Sequence, residues 1–194
     1  VYRSDGSGTT NNFTNFLREY ANNAWTTNDS FTTAIPGGSS KVASFGSRFQ
    51  GQSGSANVSN YVADNNGTIG FTEVSFVTDS ARAEKGMKSA LIKNAAGIYV
   101  APTAAAAASM IAGATVDAQG FVTFDYKQAS NKTGYPVVAV TYLLGKTAKS
   151  AKNALVAEFA TWMINDYGPT SADALGYAPL AGAIKTAALA QAAK

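Results

Sequence analysis

Arg3-Ser4-Asp5-Gly6-Ser7-Gly8-Thr9-Thr10 opens the chain and runs directly into Phe13, Phe16, Leu17 and Tyr20. The four apolar residues recur at spacings of three and four, which predicts one apolar face of an amphipathic helix. Gly6-Ser7-Gly8-Thr9-Thr10 then form the loop and first turn of that helix. The first four N–H groups of any helix lack intrahelical partners, and the helix dipole places partial positive charge there. Gly6 and Gly8 let the backbone approach a ligand without an intervening Cβ. Ser7, Thr9 and Thr10 add hydroxyl donors. Arg3, on the incoming strand, carries a planar fork suited to two oxygens of one anion. Asp5 is expected to hold that guanidinium in place. Together these groups describe an anion cradle. The same residues also describe an ordinary helix N-cap, and spacing alone leaves both readings open. A nucleotide-phosphate loop would need a lysine after the second glycine, and none follows Gly8.

The rest of the composition narrows the chemistry. At 194 residues and 46% hydrophobic, the chain can bury a core in one or two domains. Its fifteen Lys and Arg are scattered and the net charge is +3, so nucleic acid is not the expected partner. There is no Cys and no His. That removes thiol nucleophiles, Ser-His-Asp triads and zinc sites built on nitrogen and sulfur ligands. No catalytic residue, metal ligand set or cofactor is expected. No apolar run approaches the roughly 20 residues of a membrane span, and no signal peptide is recognised. The lack of Cys, with many small polar residues, points to an extracytoplasmic setting. The opening at Val1 reads as the end of a strand, and the chain is expected to be part of something longer.

Beyond the first helix, Thr26 to Ala56 is polar and rich in Gly and Ser, with Pro36-Gly37-Gly38 as its clearest turn. Val58 to Ala63 reads as a short helix. Gly67-Thr68-Ile69-Gly70-Phe71 reads as a buried strand flanked by close-packing glycines. Ala90-Leu91-Ile92-Lys93 and Gly97-Ile98-Tyr99-Val100 predict a hairpin. Thr103 is placed to cap a helix running through the alanines to Ile111. Val137 to Leu144 is β-branched and apolar, hence a central strand. Ser150 to Tyr167 predicts a long helix with Leu155, Phe159, Trp162 and Met163 on one stripe, stopped by Gly168 and Pro169. A last helix runs from about Ala181 to Ala193. Strands alternating with helices argue for an α/β fold.

The opening stretch, followed by Phe13-Thr14 and Phe16-Leu17, resembles the R-x-D-G-S-G-T-x-x-x-F-T-x-x-L segment of PstS-type phosphate-binding proteins, the extracytoplasmic receptors of ABC phosphate importers. Three further stretches are similar to family elements, in order. Gly67-Thr68-Ile69-Gly70-Phe71 resembles a G-x-I-G-Y strand, Tyr135-Pro136-Val137 a Y/W-P-I return strand, and Leu175 to Leu180 an L-x-Y-x-x-L element. The resemblance implies a type II periplasmic-binding-protein-like fold of two α/β lobes with the anion between them. It implies phosphate contacts from the Arg3 guanidinium, the Ser7 and Thr9 hydroxyls, and the Gly8 and Thr9 backbone N–H groups, with Asp5 pairing Arg3. The family's G-x-x-G turn corresponds to Gly51-Gln52-Ser53-Gly54-Ser55-Ala56-Asn57, which is spaced differently, so no ligand contact is carried across from that loop.

On the family template the fold is incomplete in this chain. Residues 1–133 correspond to most of the second lobe, and residues 134–194 return to complete the first. The opening portion of the first lobe is expected as a missing N-terminal segment of the same protein, present as a separate chain. That portion carries the family carboxylate that accepts a hydrogen bond from protonated phosphate. Without it, the Val137 strand and Ser150 helix are expected to expose apolar surface. The implied function is a solute-binding protein that captures inorganic phosphate and delivers it to an ABC permease. It would work in the periplasm or at the cell surface, with lipid anchoring through the missing segment as an option. Alternatives are a lobe for another oxyanion, a phosphate sensor, and a phosphate-ester hydrolase, which would need a base or metal beside Ser7. Trp25 and Trp162 read as packing residues, Tyr99 and Tyr126 as strand or surface aromatics, and Lys146, Lys149 and Lys152 as a solvated patch. Glu73, Asp79, Glu84 and Asp125 form no carboxylate pair that the sequence can place together.

Overall fold

Two short parallel strands organise the first part of the chain. β1 (Tyr2–Arg3) pairs with β2 (Gly51–Gln52), with Tyr2 opposite Gly51 and Arg3 opposite Gln52. These details come from a computed structural model that describes residues 1–146 and 148–194. Each strand of the pair feeds a helix through a glycine-containing turn. β1 leads to α1 (Gly8–Phe16), which continues as a wider π-helical turn over Leu17–Ala21. β2 leads to α4 (Gly54–Asp64), which contains the short helix expected at Val58 to Ala63. Because the strands are parallel, both helices begin at the same end of the pair. That is the topology in which α/β folds gather ligands.

Between them, the Gly- and Ser-rich region folds into α2 (Phe31–Ala34) and α3 (Gly38–Ser44). The turn at Pro36-Gly37-Gly38 separates them, and Gly37 takes φ +87°, a left-handed conformation that favours glycine. After α4 come α5 (Val74–Thr78) and α6 (Ser80–Ala83). An aromatic cluster centred on Phe31 holds these elements together. Tyr2 stacks on Phe31 at 4.8 Å, Phe71 lies 5.9 Å from it, and Phe13 stacks on Phe71 at 4.4 Å. Trp25 joins the same cluster at 5.8 Å, as a packing residue. Such ring pairs contribute about 0.5–1.5 kcal/mol each beyond the area they bury. The buried face of α1 also includes Thr10 and Thr14, which the apolar spacing did not reveal. Thr14 donates to the carbonyls of Asn11 and Asn28 and accepts from the Asn28 N–H, tying α1 to the following loop.

The chain divides into two compact units. One comprises Val1–Ala90 with Val137–Ala139, and the other Leu91–Pro136 with Val140–Lys194. In the second unit the hairpin appears as β3 (Ile92–Lys93) against β4 (Tyr99–Val100). Thr103 caps α7 (Ala104–Ala112), accepting from the Ala106 N–H at 3.1 Å. A second hairpin, β5 (Thr115–Val116) with β6 (Val122–Thr123), was not foreseen. α8 (Ala151–Trp162) is capped by Ser150 and passes through a π-helical turn, Met163–Tyr167. α10 (Gly182–Ala192) packs on α7, α8 and β5. Ala106, Met110, Ile111, Tyr126 and Ile184 are buried here, so Tyr126 is a core residue, while Tyr99 is exposed.

Three expectations need correction. Gly67 to Phe71 is not a strand, and Ile69 is 78% exposed. Gly67 takes φ +79° in a turn, while Gly70 is the close-packing glycine, where a Cβ would come within 3.1 Å of Val62 and 3.2 Å of Val58. Val137 to Leu144 likewise forms no strand, and Leu144 is 90% exposed. Both stretches have strand-forming residues, but among the described residues neither has a strand to pair with, and propensity is expressed only on a paired, half-buried surface. The third correction concerns Gly168 and Pro169, which do not stop the helix. The chain continues as α9 (Gly168–Ser171), with Pro169 in the first turn, where no N–H is needed. It turns at Gly176, φ +79°. Leu155, Phe159 and Trp162 on α8 and Leu143 and Leu144 before it are exposed.

Candidate anion-binding site

β1 delivers Arg3 to the end of the strand pair, where its side chain is 13% exposed. Asp5 takes it in a two-pronged pair: Nε donates to Oδ1 at 2.8 Å and Nη2 to Oδ2 at 2.6 Å. Nη1 donates to Ser55 Oγ at 3.0 Å. A guanidinium has five N–H donors, so three are committed and two remain. Asp5 Oδ1 also accepts from the Gly54 N–H at 3.0 Å, at the start of α4. The Arg3 hydrogen bonds, then the Gly54 N–H, hold the Asp5 carboxyl well below the usual carboxylate range. The loop from Gly51 to Asn57, for which no role was carried over, therefore supplies two contacts to the Arg3–Asp5 pair.

Ser7 is the N-cap of α1. Its backbone is extended, its Oγ accepts from the N–H groups of Thr9 at 3.1 Å and Thr10 at 3.3 Å, and its own N–H donates to the Asp29 carbonyl. The ordinary N-cap and the anion cradle are thus compatible: the Ser7 oxygen serves the helix while its proton has no acceptor among the described residues. Gly8 begins α1, and its N–H is one of the unsatisfied first-turn donors. A Cβ added at Gly8 would meet nothing within 4 Å. Gly8 also lacks the positive φ that would demand glycine. Gly6 differs, since a Cβ there would lie 3.3 Å from Asp29 Oδ2.

Thr9 carries its hydroxyl to Glu73, donating to Oε1 at 2.6 Å. Glu73 directly precedes α5 and also accepts from the Thr72 hydroxyl at 3.0 Å and from Ser55. Burial pushes its carboxyl up, but the hydrogen bonds from Thr9, Ser55, its own backbone and Thr72 outweigh that and leave it lowered. Thr10 Oγ1 is fully buried and has no hydrogen-bond partner among the described residues.

The structure therefore brings Arg3, Asp5, Ser7, Gly8 and Thr9 together and adds Gly54, Ser55 and Glu73. Sequence reasoning missed these three because they lie far along the chain. The usable signal was a second strand–glycine–helix unit at Gly51 to Asp64, parallel to the first. The donors here with no acceptor among the described residues are the Gly8 N–H, the Ser7 hydroxyl and two Arg3 N–H groups. One guanidinium stands against two carboxylates, so what this place presents is oriented dipoles and not net positive charge. No base is hydrogen-bonded to Ser7, and no group of three or more His, Cys, Asp or Glu among the described residues could hold a metal ion. Lys149 and Lys152 flank the exposed start of α8, and Lys146 is exposed as well.

The model of the PBP superfamily domain matches residues 1–167. A protein named phosphate-binding protein PstS from Xylella fastidiosa (strain 9a5c) is 28% identical over 184 residues, covering 93% of this chain and 46% of that protein. Phosphate-binding protein PstS3 from Mycobacterium bovis (strain BCG / Pasteur 1173P2) is 31% identical over 147 residues, 73% of this chain and 35% of that protein. The chain thus spans less than half the length of these relatives. With a family model covering most of its length and an α/β arrangement to match, the chain belongs to the PBP superfamily as a PstS-type member.

Proposed function

We propose that this chain is the phosphate-gripping part of a solute-binding protein that captures inorganic phosphate between two lobes and delivers it to an ABC importer outside the cytoplasm. Arg3 contributes its two uncommitted N–H groups, Ser7 its hydroxyl proton and Gly8 its N–H, while Thr9 adds a hydroxyl oxygen whose proton goes to Glu73. Asp5 orients Arg3. The single observation that carries the reading is Gly8: a glycine that neither packing nor backbone conformation requires, beside donors without acceptors. A residue without a Cβ here leaves a ligand room to approach the start of the helix. The names of the similar proteins support phosphate as the ligand. No helix among the described residues is long and apolar enough to cross a membrane, which accords with a membrane permease being a separate partner.

In this reading residues 1–133 form most of one lobe and 134–194 the return segment of the other. The exposed Leu143, Leu144, Leu155 and Phe159 are then covered by the remainder of that other lobe, a segment supplied by the same protein. Isothermal titration of the intact protein with phosphate tests the site. Arg3→Ala removes charge-assisted hydrogen bonds worth about 1.5–3 kcal/mol each, so affinity falls on the order of a hundredfold or more. Unchanged affinity in Arg3→Ala refutes the assignment.

A further inference from the structure

We propose that Asn66 is a modification site: its side-chain amide cyclises onto the Gly67 nitrogen and hydrolyses to aspartate and isoaspartate while the protein stays folded. Asn66-Gly67 is the one Asn-Gly step in the sequence, and every other asparagine precedes a residue with a Cβ. Cyclisation brings the nitrogen of the following residue onto the asparagine Cγ, and a glycine there puts no side chain in the way. The structure supplies the remaining conditions. Asn66 and Gly67 are both exposed, in the turn that follows α4. Gly67 takes φ +79°, and a Cβ built on it would meet nothing within 4 Å. No hydrogen bond joins the Gly67 N–H or the Asn66 amide to another described residue. The turn is held by its neighbours instead, with Asn65 Nδ2 donating to the Tyr61 carbonyl at 2.8 Å and Thr68 Oγ1 to the Asn65 carbonyl at 2.7 Å.

The step balances with water as the sole co-reactant. The Gly67 nitrogen bonds to Asn66 Cγ, the Cγ–N bond of the side-chain amide breaks, and the leaving group takes the Gly67 proton and departs as ammonia. Water then opens the cyclic imide. Attack at Cγ gives aspartate, and attack at the main-chain carbonyl gives isoaspartate, in which the chain runs through the former side chain. Either product lowers the net charge of +3 by one unit. Gly70, downstream of the turn, leaves no room for a Cβ against Val58 and Val62 of α4. The atom that isoaspartate adds to the main chain is therefore taken up in the exposed turn and not passed on toward Thr72 and Glu73. A matched site shows the opposite arrangement. Asp5-Gly6 is the one Asp-Gly step and can form the same imide. There both carboxylate oxygens accept from Arg3, and one also from the Gly54 N–H. An ionised carboxylate pinned in this way is a poor electrophile and is not free to turn onto the next nitrogen, so Asp5 is spared.

The experiment is peptide mapping of the intact protein after incubation at mildly alkaline pH, folded and in urea, for wild type, Asn66→Gln and Asn66→Asp. Folded wild type is expected to lose its Asn66 peptide to an aspartyl and an isoaspartyl product before any other asparagine converts. A more acidic species then grows on ion exchange, elutes close to Asn66→Asp, and does not form from Asn66→Gln over the same period. The Asp5-Gly6 peptide stays unchanged in the folded protein and isomerises in urea. Asn66 remaining intact in the folded protein while other asparagines convert, or converting in urea alone, overturns the proposal. So does an acidic species that grows equally in Asn66→Gln. Isomerisation of Asp5 in the folded protein at the rate seen in urea overturns the protection assigned to the Arg3 pair.

Discussion

Replacing Gly8 with alanine should move stability and binding in opposite directions. The new methyl would meet nothing within 4 Å, and Gly8 does not occupy the left-handed region, so the folded state bears no strain from it. Alanine loses less backbone freedom than glycine on folding, and at a compatible site this stabilises by about 0.4–1 kcal/mol. For a chain of this size that raises Tm by roughly 1–4 °C. Binding should behave differently, because a helical Cβ tilts toward the helix N-terminus, the side from which an anion approaches α1. The methyl displaces the anion from the Gly8 N–H and lengthens its bonds to Ser7 and Arg3. Losing one charge-assisted hydrogen bond and straining others costs about 1.5–3 kcal/mol, a factor of roughly ten to a hundred in Kd. Thermal melts without phosphate, paired with isothermal titration of the same preparations, read both effects. A Gly8→Ala protein that binds phosphate as wild type does would refute the idea that this glycine exists for the ligand. A lower Tm would refute the reading of open space around it.

Three other outcomes follow from the same geometry. Thr10→Val replaces a fully buried hydroxyl without a partner by a methyl of similar shape, and should raise stability by about 1 kcal/mol in urea unfolding; a loss would mean the hydroxyl is paired. Because one guanidinium stands beside Asp5 and Glu73, phosphate Kd should change only a few-fold between low and physiological salt, where attraction by net positive charge would be screened strongly. The Asp5 carboxyl is depressed in the folded state, so the unfolded chain binds its proton first as pH falls. Its contribution is complete above the ordinary aspartate value of about 3.9 and is lost below it. The slope of Tm against pH below about 4 should therefore be steeper in wild type than in Asp5→Asn, and equal slopes would count against the pairing.

The parts of the fold that local chemistry decides were legible in the sequence. The Ser7, Thr103 and Ser150 caps, the Asn94 to Gly97 hairpin turn and the glycine turn at Gly37 are each set by a few neighbouring residues. Strands depend on partners, and here the sequence misled. Gly67 to Phe71 and Val137 to Leu144 have the right composition but nothing among the described residues to pair with. The site divides along the same line. Arg3, Asp5, Ser7, Gly8 and Thr9 sit within one turn of strand and helix, so their meeting was readable from spacing. Glu73 is 64 residues from Thr9 and Ser55 is 52 from Arg3, and only the parallel pairing of β1 with β2 brings the second helix start beside the first. A carboxylate in an anion site also runs against charge-based expectation, which is why Glu73 looked unremarkable in the sequence.

Whether an oxyanion sits where the Arg3 fork meets the start of α1 is tested by a crystal structure of the intact protein grown with phosphate. One phosphate is expected with oxygens about 3 Å from Gly8 N, Ser7 Oγ and an Arg3 Nη, with Asp5 still pairing the guanidinium. Phosphate bound elsewhere, or a well-ordered cradle holding none at saturating concentration, would contradict it.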